Sequence, residues 1–162
     1  MDRACSASVE RVKEHLRSLG LHVAVVQTPQ TTRTAAEAAQ TLGCTVEQIV
    51  KSLVFRGAET GKAYLVVASG ANRVDEGRLA ALFGEPVAKA DAEFVRKVTG
   101  FAIGGIPPVG HVSWLETVID EDLMTVTEMY AAAGSPHHIF AITPSQLTQI
   151  VRGSVARIKG VE

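Results

Sequence analysis

The chain has 162 residues, 46% of them hydrophobic and 20% charged, with a formal net charge of -1. That apolar share suffices for a buried core and is too high for a disordered chain, so one domain spanning residues 1–162 is expected. The small net charge excludes a protein that coats nucleic acid by bulk attraction, though a local basic patch stays open.

The start of the chain carries Asp2, Arg3, Glu10, Arg11 and Lys13 and lacks the apolar stretch of a signal peptide. No run of about eighteen apolar residues occurs anywhere, so no membrane association and a cytoplasmic location are expected. Cys5 and Cys44 form no CxxC and are too few for a disulfide framework; both read as inert, with Cys44 a small buried hydrophobe.

From Ser8, the apolar residues Val9, Val12, Leu16 and Leu19 recur at helical spacing, and Gly20 follows as a stop. His22 to Thr28, short and rich in Val, predicts a strand. A second helix from about Thr34 ends at Gly43, after which Thr45 and Gln48 have the form of a capping box. Val50 to Arg56 and Ala63 to Ser69 predict paired strands joined through the Gly57–Lys62 turn.

Asp75 and Asp91 each stand where a helix N-cap is needed, with Gly84 and Gly100 past the respective ends. Strands are then expected at Phe101–Ile103, Trp114–Ile119, Met124–Ala131 and Ile139–Ile142. Thr143-Pro144 opens a last helix over Gln146–Val151. Short helices falling between strands without strict alternation predict an α+β class, loosely α/β, with a mixed and curled sheet.

Lys51 is out of place, because period-two alternation puts it on the side of Leu53 and Phe55. It is either an edge-strand residue reaching water or a cation lining a pocket. Gly104-Gly105-Ile106-Pro107-Pro108-Val109-Gly110 is a stiff loop with exposed backbone, suited to offering N–H groups to an oxyanion. No Gly-Lys-Ser/Thr follows it and the GxGxxG spacing is missing, so it does not read as a phosphate loop.

His111, His137 and His138 lack metal-ligand spacing, and one of the last two should face inward by alternation. The cluster Asp120, Glu121 and Asp122 reads as a solvated turn or a cap. The serines, including Ser69 before Gly70 and Ser154 after Gly153, lack the GxSxG elbow of a covalent nucleophile.

Three segments together carry a resemblance: Val46 to Phe55, Thr99 to Gly110, and Ala133-Gly134 with Thr143 to Leu147. In order and spacing they resemble the YbaK/ProX family of aminoacyl-tRNA deacylases, which includes the editing domains inserted in bacterial prolyl-tRNA synthetases. The resemblance implies a single domain with a mixed β-barrel-like sheet flanked by short helices. It also implies an ester hydrolase that acts on the 3′ acceptor end of mischarged tRNA, with no metal and no organic cofactor.

Lys51 matches the family's essential lysine and Gly104–Pro108 its GxxxP loop, so Lys51, Gly104, Gly105 and Pro108 are the expected catalytic residues. Thr28, Ser69, Ile106, Gly134, His137 and His138 are the expected substrate-binding wall. The expected substrate is tRNA-Pro carrying cysteine, alanine or another small residue. Prolyl-tRNA synthetase is an expected partner, and the chain is expected to be a monomer or weak homodimer.

The base for such a reaction is left open between a backbone carbonyl, a ribose hydroxyl of the substrate and neutral Lys51. Binding tRNA at low net charge needs a concentrated patch, for which Lys51, Arg56, Lys62, Arg73, Arg78, Lys89, Arg96 and Lys97 are available. A non-catalytic module binding tRNA, a synthetase or a nucleotide, and a hydrolase of some other small ester or amide, are the competing readings.

Overall fold

Capping and apolar periodicity place the helices where the sequence predicts them, with shifted ends. The computed structural model describes residues 3–32 and 34–160, with side chains from residue 7 onward, so the Cys5 side chain lies outside the described residues. Helix α1 (Arg3–Ser18) buries Val9, Val12 and Leu16 and begins before the periodic stretch does. It stops at Ser18, so Leu19 falls in the turn at 37% exposure and Leu21 enters the core in its place.

Helices α2 (Ala35–Leu42), α3 (Glu76–Phe83) and α4 (Ala92–Thr99) are capped by the side chains of Thr34, Asp75 and Asp91. Each ends on a left-handed glycine, Gly43, Gly84 and Gly100 in turn. At Thr45 the backbone N–H donates to Gln48 Oε1 at 3.1 Å, and a short 3-10 turn, Val46–Gln48, follows. Helix α5 (Pro144–Ile150) opens with Thr143 accepting from the Gln146 N–H.

The larger sheet has the order β4-β2-β3-β5-β8, from strands β2 (Val50–Gly57), β3 (Ala63–Ser69), β4 (Val87–Lys89), β5 (Glu116–Asp120) and β8 (Ser154–Ala156). β2 runs antiparallel to β3 and β4, whereas β3–β5 and β5–β8 are parallel, which makes the sheet mixed as expected. The smaller sheet is antiparallel, in the order β1-β7-β6, from β1 (Val25–Gln27), β6 (Met129–Ala132) and β7 (His138–Ile142).

Alternation along β2 and β3 divides the core between the two faces of the larger sheet. Val50, Val54, Leu65 and Val67 pack with Leu16, Phe101 and Phe140, while Phe55, Tyr64, Val66 and Ala68 pack with Leu79 and Ile158. Burial on both faces is why β3 reads as a continuous apolar run. Truncating the fully buried Leu79 to Ala removes side-chain contacts from this second face, at a cost of about 2–5 kcal/mol.

Two expected strands change, and two further strands appear. The strands form two sheets with no closed barrel among the described residues: β2 and β6 are not paired, and only the isolated bridge Ile49↔Tyr130, just before β2, links the sheets there. Phe101–Ile103 is loop: Phe101 is buried, but Ile103 is 59% exposed, and the Thr99 hydroxyl accepts from the Phe101 N–H. The front of the expected Met124–Ala131 strand is the end of a 3-10 turn, Glu121–Thr125, capped by Asp120. β4 and β8 are three-residue strands, too short to show a periodicity.

No helix among the described residues is long and apolar enough to cross a membrane.

Candidate active site

The missing closure leaves a cavity of about 440 Å³ beside β2, between α2, the smaller sheet and the loop after α4. Such a volume suits a small organic ligand. From the Ile49↔Tyr130 bridge to the first β4 pair at Phe55, this edge of β2 has no strand neighbour among the described residues. Ala38, Leu42, Leu53, Val95 and Ile139 make the walls apolar, and Lys51 and Lys89 bring positive charge to them.

Lys51 lies opposite Ala68 in the β2–β3 register, at the end of the row that contains Leu53 and Phe55. Its Nζ donates to the carbonyl of Asn72 at 2.7 Å. The Asn72 side chain in turn donates from Nδ2 to Asp120 Oδ2 and to Asp122 Oδ2, each at 2.8 Å. Asp120, 1% exposed, also accepts from the N–H groups of Ser69 and Asp122. The acidic cluster therefore anchors the turn that holds the lysine. Burial pushes the Lys51 ammonium below the ordinary lysine range, the nearby charge of Lys89 adds to that, and Asp120 opposes it.

The loop from Gly100 to Ser113 returns to α4, with the N–H groups of Val112 and Ser113 donating to the carbonyls of Thr99 and Val98. Within it, Gly104 has φ +96°, a left-handed conformation that glycine adopts without strain. Gly105 is fixed on both sides: its N–H donates to Ala102 and its carbonyl accepts from the Gly134 N–H at 3.0 Å. A Cβ at Gly105 would lie 2.7 Å from Ser135 Cα, so backbone packing requires glycine there.

His111 braces the following turn, its Nε2 2.7 Å from the Pro107 carbonyl. That nitrogen carries the proton, since a carbonyl only accepts. Burial pushes the His111 imidazole below the ordinary range. Gly104 and Ile106 line the cavity, and among the described residues no acceptor takes the N–H of either.

Of the residues singled out from the sequence, Lys51, Gly104 and Ile106 meet at the cavity. Gly105 and Pro108 are buried in the same loop, behind that lining. Thr28, Ser69, Gly134, His137 and His138 also stand outside it. Thr28 and Thr32 tie the 133–138 turn from the other side, their N–H groups donating to the carbonyls of His137 and Pro136. Ser69 Oγ donates to the Glu47 carbonyl.

His138 is the inward histidine, 6% exposed with Nδ1 2.7 Å from Ser135 Oγ. It shares the face of Phe140 and Ile142 in β7, whereas the cavity touches the opposite face through Ile139. The Ser135–His138 pair thus lies beneath the turn that holds Gly105. Asn72, Asp120 and His111 were not singled out for the site, because their roles depend on partners distant in the chain. Lys89 was legible only as one cation among many.

The sequence profile described as the aminoacyl-tRNA editing domain matches residues 29–150. The chain belongs to that family. Within the editing-domain family, it is 48% identical, with a TM-score of 0.89, to a crystal structure described as a candidate trans-editing enzyme for prolyl-tRNA synthetase; the match covers 95% of this chain and 98% of that one.

A further relative is YwhH of Bacillus subtilis (strain 168), of uncharacterised function, at 29% identity over 88% of this chain and 90% of that protein. Proline–tRNA ligase of Thermoanaerobacter sp. (strain X514) is 30% identical over 70% of this chain, which matches only 20% of the ligase. Lys51, the Gly104–Pro108 loop and Gly134 all fall inside the segment matched by the editing-domain profile.

Proposed function

We propose that this protein is an aminoacyl-tRNA deacylase that acts in trans, removing cysteine, alanine or another small residue wrongly attached to tRNA-Pro. The observation that carries this reading is that Lys51, Gly104 and Ile106 line one apolar cavity, while the N–H groups of Gly104 and Ile106 have no acceptor among the described residues. Ester hydrolysis needs a placed water and charge stabilisation on the carbonyl oxygen, and these groups supply both in a site of low dielectric.

Water attacks the ester carbonyl carbon, and the resulting oxyanion is held by the loop N–H groups and the Lys51 ammonium. The bond to the ribose oxygen then breaks, and that oxygen takes a proton as the amino acid leaves. No carboxylate or imidazole belongs to the described lining, so the vicinal hydroxyl of the terminal ribose relays the proton, accepting one from the attacking water while passing its own to the leaving ribose oxygen. The apolar walls admit small side chains and reject bulky ones by steric exclusion. Likeness to a candidate trans-editing enzyme for prolyl-tRNA synthetase and to a stretch of proline–tRNA ligase supports tRNA-Pro as the nucleic acid and that synthetase as the partner.

The test is a deacylation panel with purified protein in catalytic amount. It uses tRNA-Pro, tRNA-Ala and tRNA-Cys, each charged with proline, alanine and cysteine. Many equivalents of alanine or cysteine should leave tRNA-Pro while prolyl-tRNA-Pro persists. Release from none of the charged tRNAs would overturn the reading in favour of a binding module.

A further inference from the structure

We propose that Lys89 forms a phosphodiester subsite at the mouth of the cavity, separate in task from Lys51. The inference rests on the deacylase reading and names the part of the substrate that this second cation takes. Lys89 ends the short strand β4 beside Phe55, is exposed, and lines the same cavity as Lys51. Among the described residues, no carboxylate forms an ion pair with either amine. The other lining side chains are apolar or neutral, so nothing in the wall itself compensates two ammonium groups.

Two like charges beside an apolar cavity repel in the free protein, and an entering anion relieves that repulsion. Their attachments divide the work. Lys51 is half-buried and tethered to the Asn72 carbonyl, which fixes its amine at the turn after β3. Lys89 carries no such tether among the described residues and stands in solvent, where a flexible ammonium suits a phosphate as a point charge. The two cations therefore match a ligand with an anion at one end and a reacting carbonyl a short distance away. A nucleotide esterified on its ribose and bearing a 5′ phosphodiester is such a ligand.

Lys89→Ala, Lys89→Arg and the parent protein are compared on the best charged tRNA and on the corresponding phosphate-free aminoacyl-adenosine ester. On tRNA, Lys89→Ala should raise KM by about 10- to 100-fold, and Lys89→Arg should keep the parent KM. The dependence of log KM on log salt should become shallower by about 0.7 in the Ala variant, the loss of one single-strand phosphate contact. On the adenosine ester the three proteins should match at a pH well below the alkaline limb set by Lys51. An unchanged KM on tRNA, or an equal loss on both substrates, would overturn the subsite.

Calorimetric binding of an uncharged acceptor-end trinucleotide separates this inference from the deacylase reading, because it needs no turnover. A loss of about tenfold or more in Lys89→Ala supports the subsite even if no charged tRNA is hydrolysed. No loss sinks it, as does inorganic phosphate alone binding as tightly as the trinucleotide.

Discussion

The Nζ of Lys51 donates to the backbone carbonyl of Asn72 at 2.7 Å, and the Asn72 side chain is itself held by Asp120 and Asp122. A strand lysine is thus positioned by a turn 21 residues further along the chain. The turn keeps its shape because Asp120 is buried and accepts from three donors.

Removing the Asn72 side chain should disturb the lysine without touching it. Asn72→Ala leaves Asp120 short of a donor, costing about 1–3 kcal/mol. The variant should melt several degrees lower and deacylate more slowly at an unchanged KM. Parent-like melting and turnover would show that the carbonyl is held by other means.

Protonation of Lys51 gives the proposed mechanism a pH signature. If the ammonium stabilises the oxyanion, turnover falls as pH rises through its lowered pKa. Lys89 contributes to that lowering and Asp120 opposes it. Lys89→Ala should therefore move the alkaline limb of kcat to higher pH, and Asp120→Asn to lower pH. A rate that climbs through the same range would instead make neutral Lys51 the base. Lys51→Ala should cut turnover by about 100- to 1,000-fold with an unaltered circular dichroism spectrum.

Gly105 tests the loop by sterics alone. Its Cβ would press on the Ser135 backbone, so Gly105→Ala must shift either the loop or the 133–138 turn. Turnover should fall at least tenfold, with a melting point lowered by a few degrees. Activity at the parent level would mean that the exact placing of Gly104 and Ile106 does not matter to the reaction.

Glu85 predicts an acid limit to stability away from the site. Its carboxylate accepts from the Thr60 hydroxyl and Tyr64 hydroxyl and from the N–H groups of Thr60 and Glu59, closing the β2–β3 turn. These donors pull its pKa from 4.5 down to about 2. A depressed pKa stabilises the fold above the unfolded value, and that contribution is lost as pH falls from 4.5 towards 2. Melting temperature should drop more steeply over this range in the parent than in Glu85→Gln. Parallel curves would remove Glu85 from the acid response.

The helices were legible because their signals are local. Thr34, Asp75, Asp91 and Thr143 cap within three residues, and the glycines past α2, α3 and α4 follow at once. The β2–β3 hairpin was legible for the same reason. Phe101–Ile103 misled, since an apolar triplet with an aromatic and a β-branched residue at its ends fits a half-buried strand equally well, and only the Thr99 side chain and the return of the loop to α4 decide against it. The expectation of His137 and His138 on the wall comes from the family resemblance, not from a local signal. Alternation in β7 instead turns His138 to the face away from the cavity.

Sequence by itself determined the α+β class, the capped helices, the hairpin and the three segments that mark the editing-domain family, because each is written in residues close together along the chain. The tertiary structure alone decided that β2 keeps an open edge, that Lys51 is tethered to Asn72, that Gly105 is wedged against Ser135, and that Lys89 shares the cavity. These depend on contacts between residues distant in sequence, where neither spacing nor propensity specifies which side chain arrives.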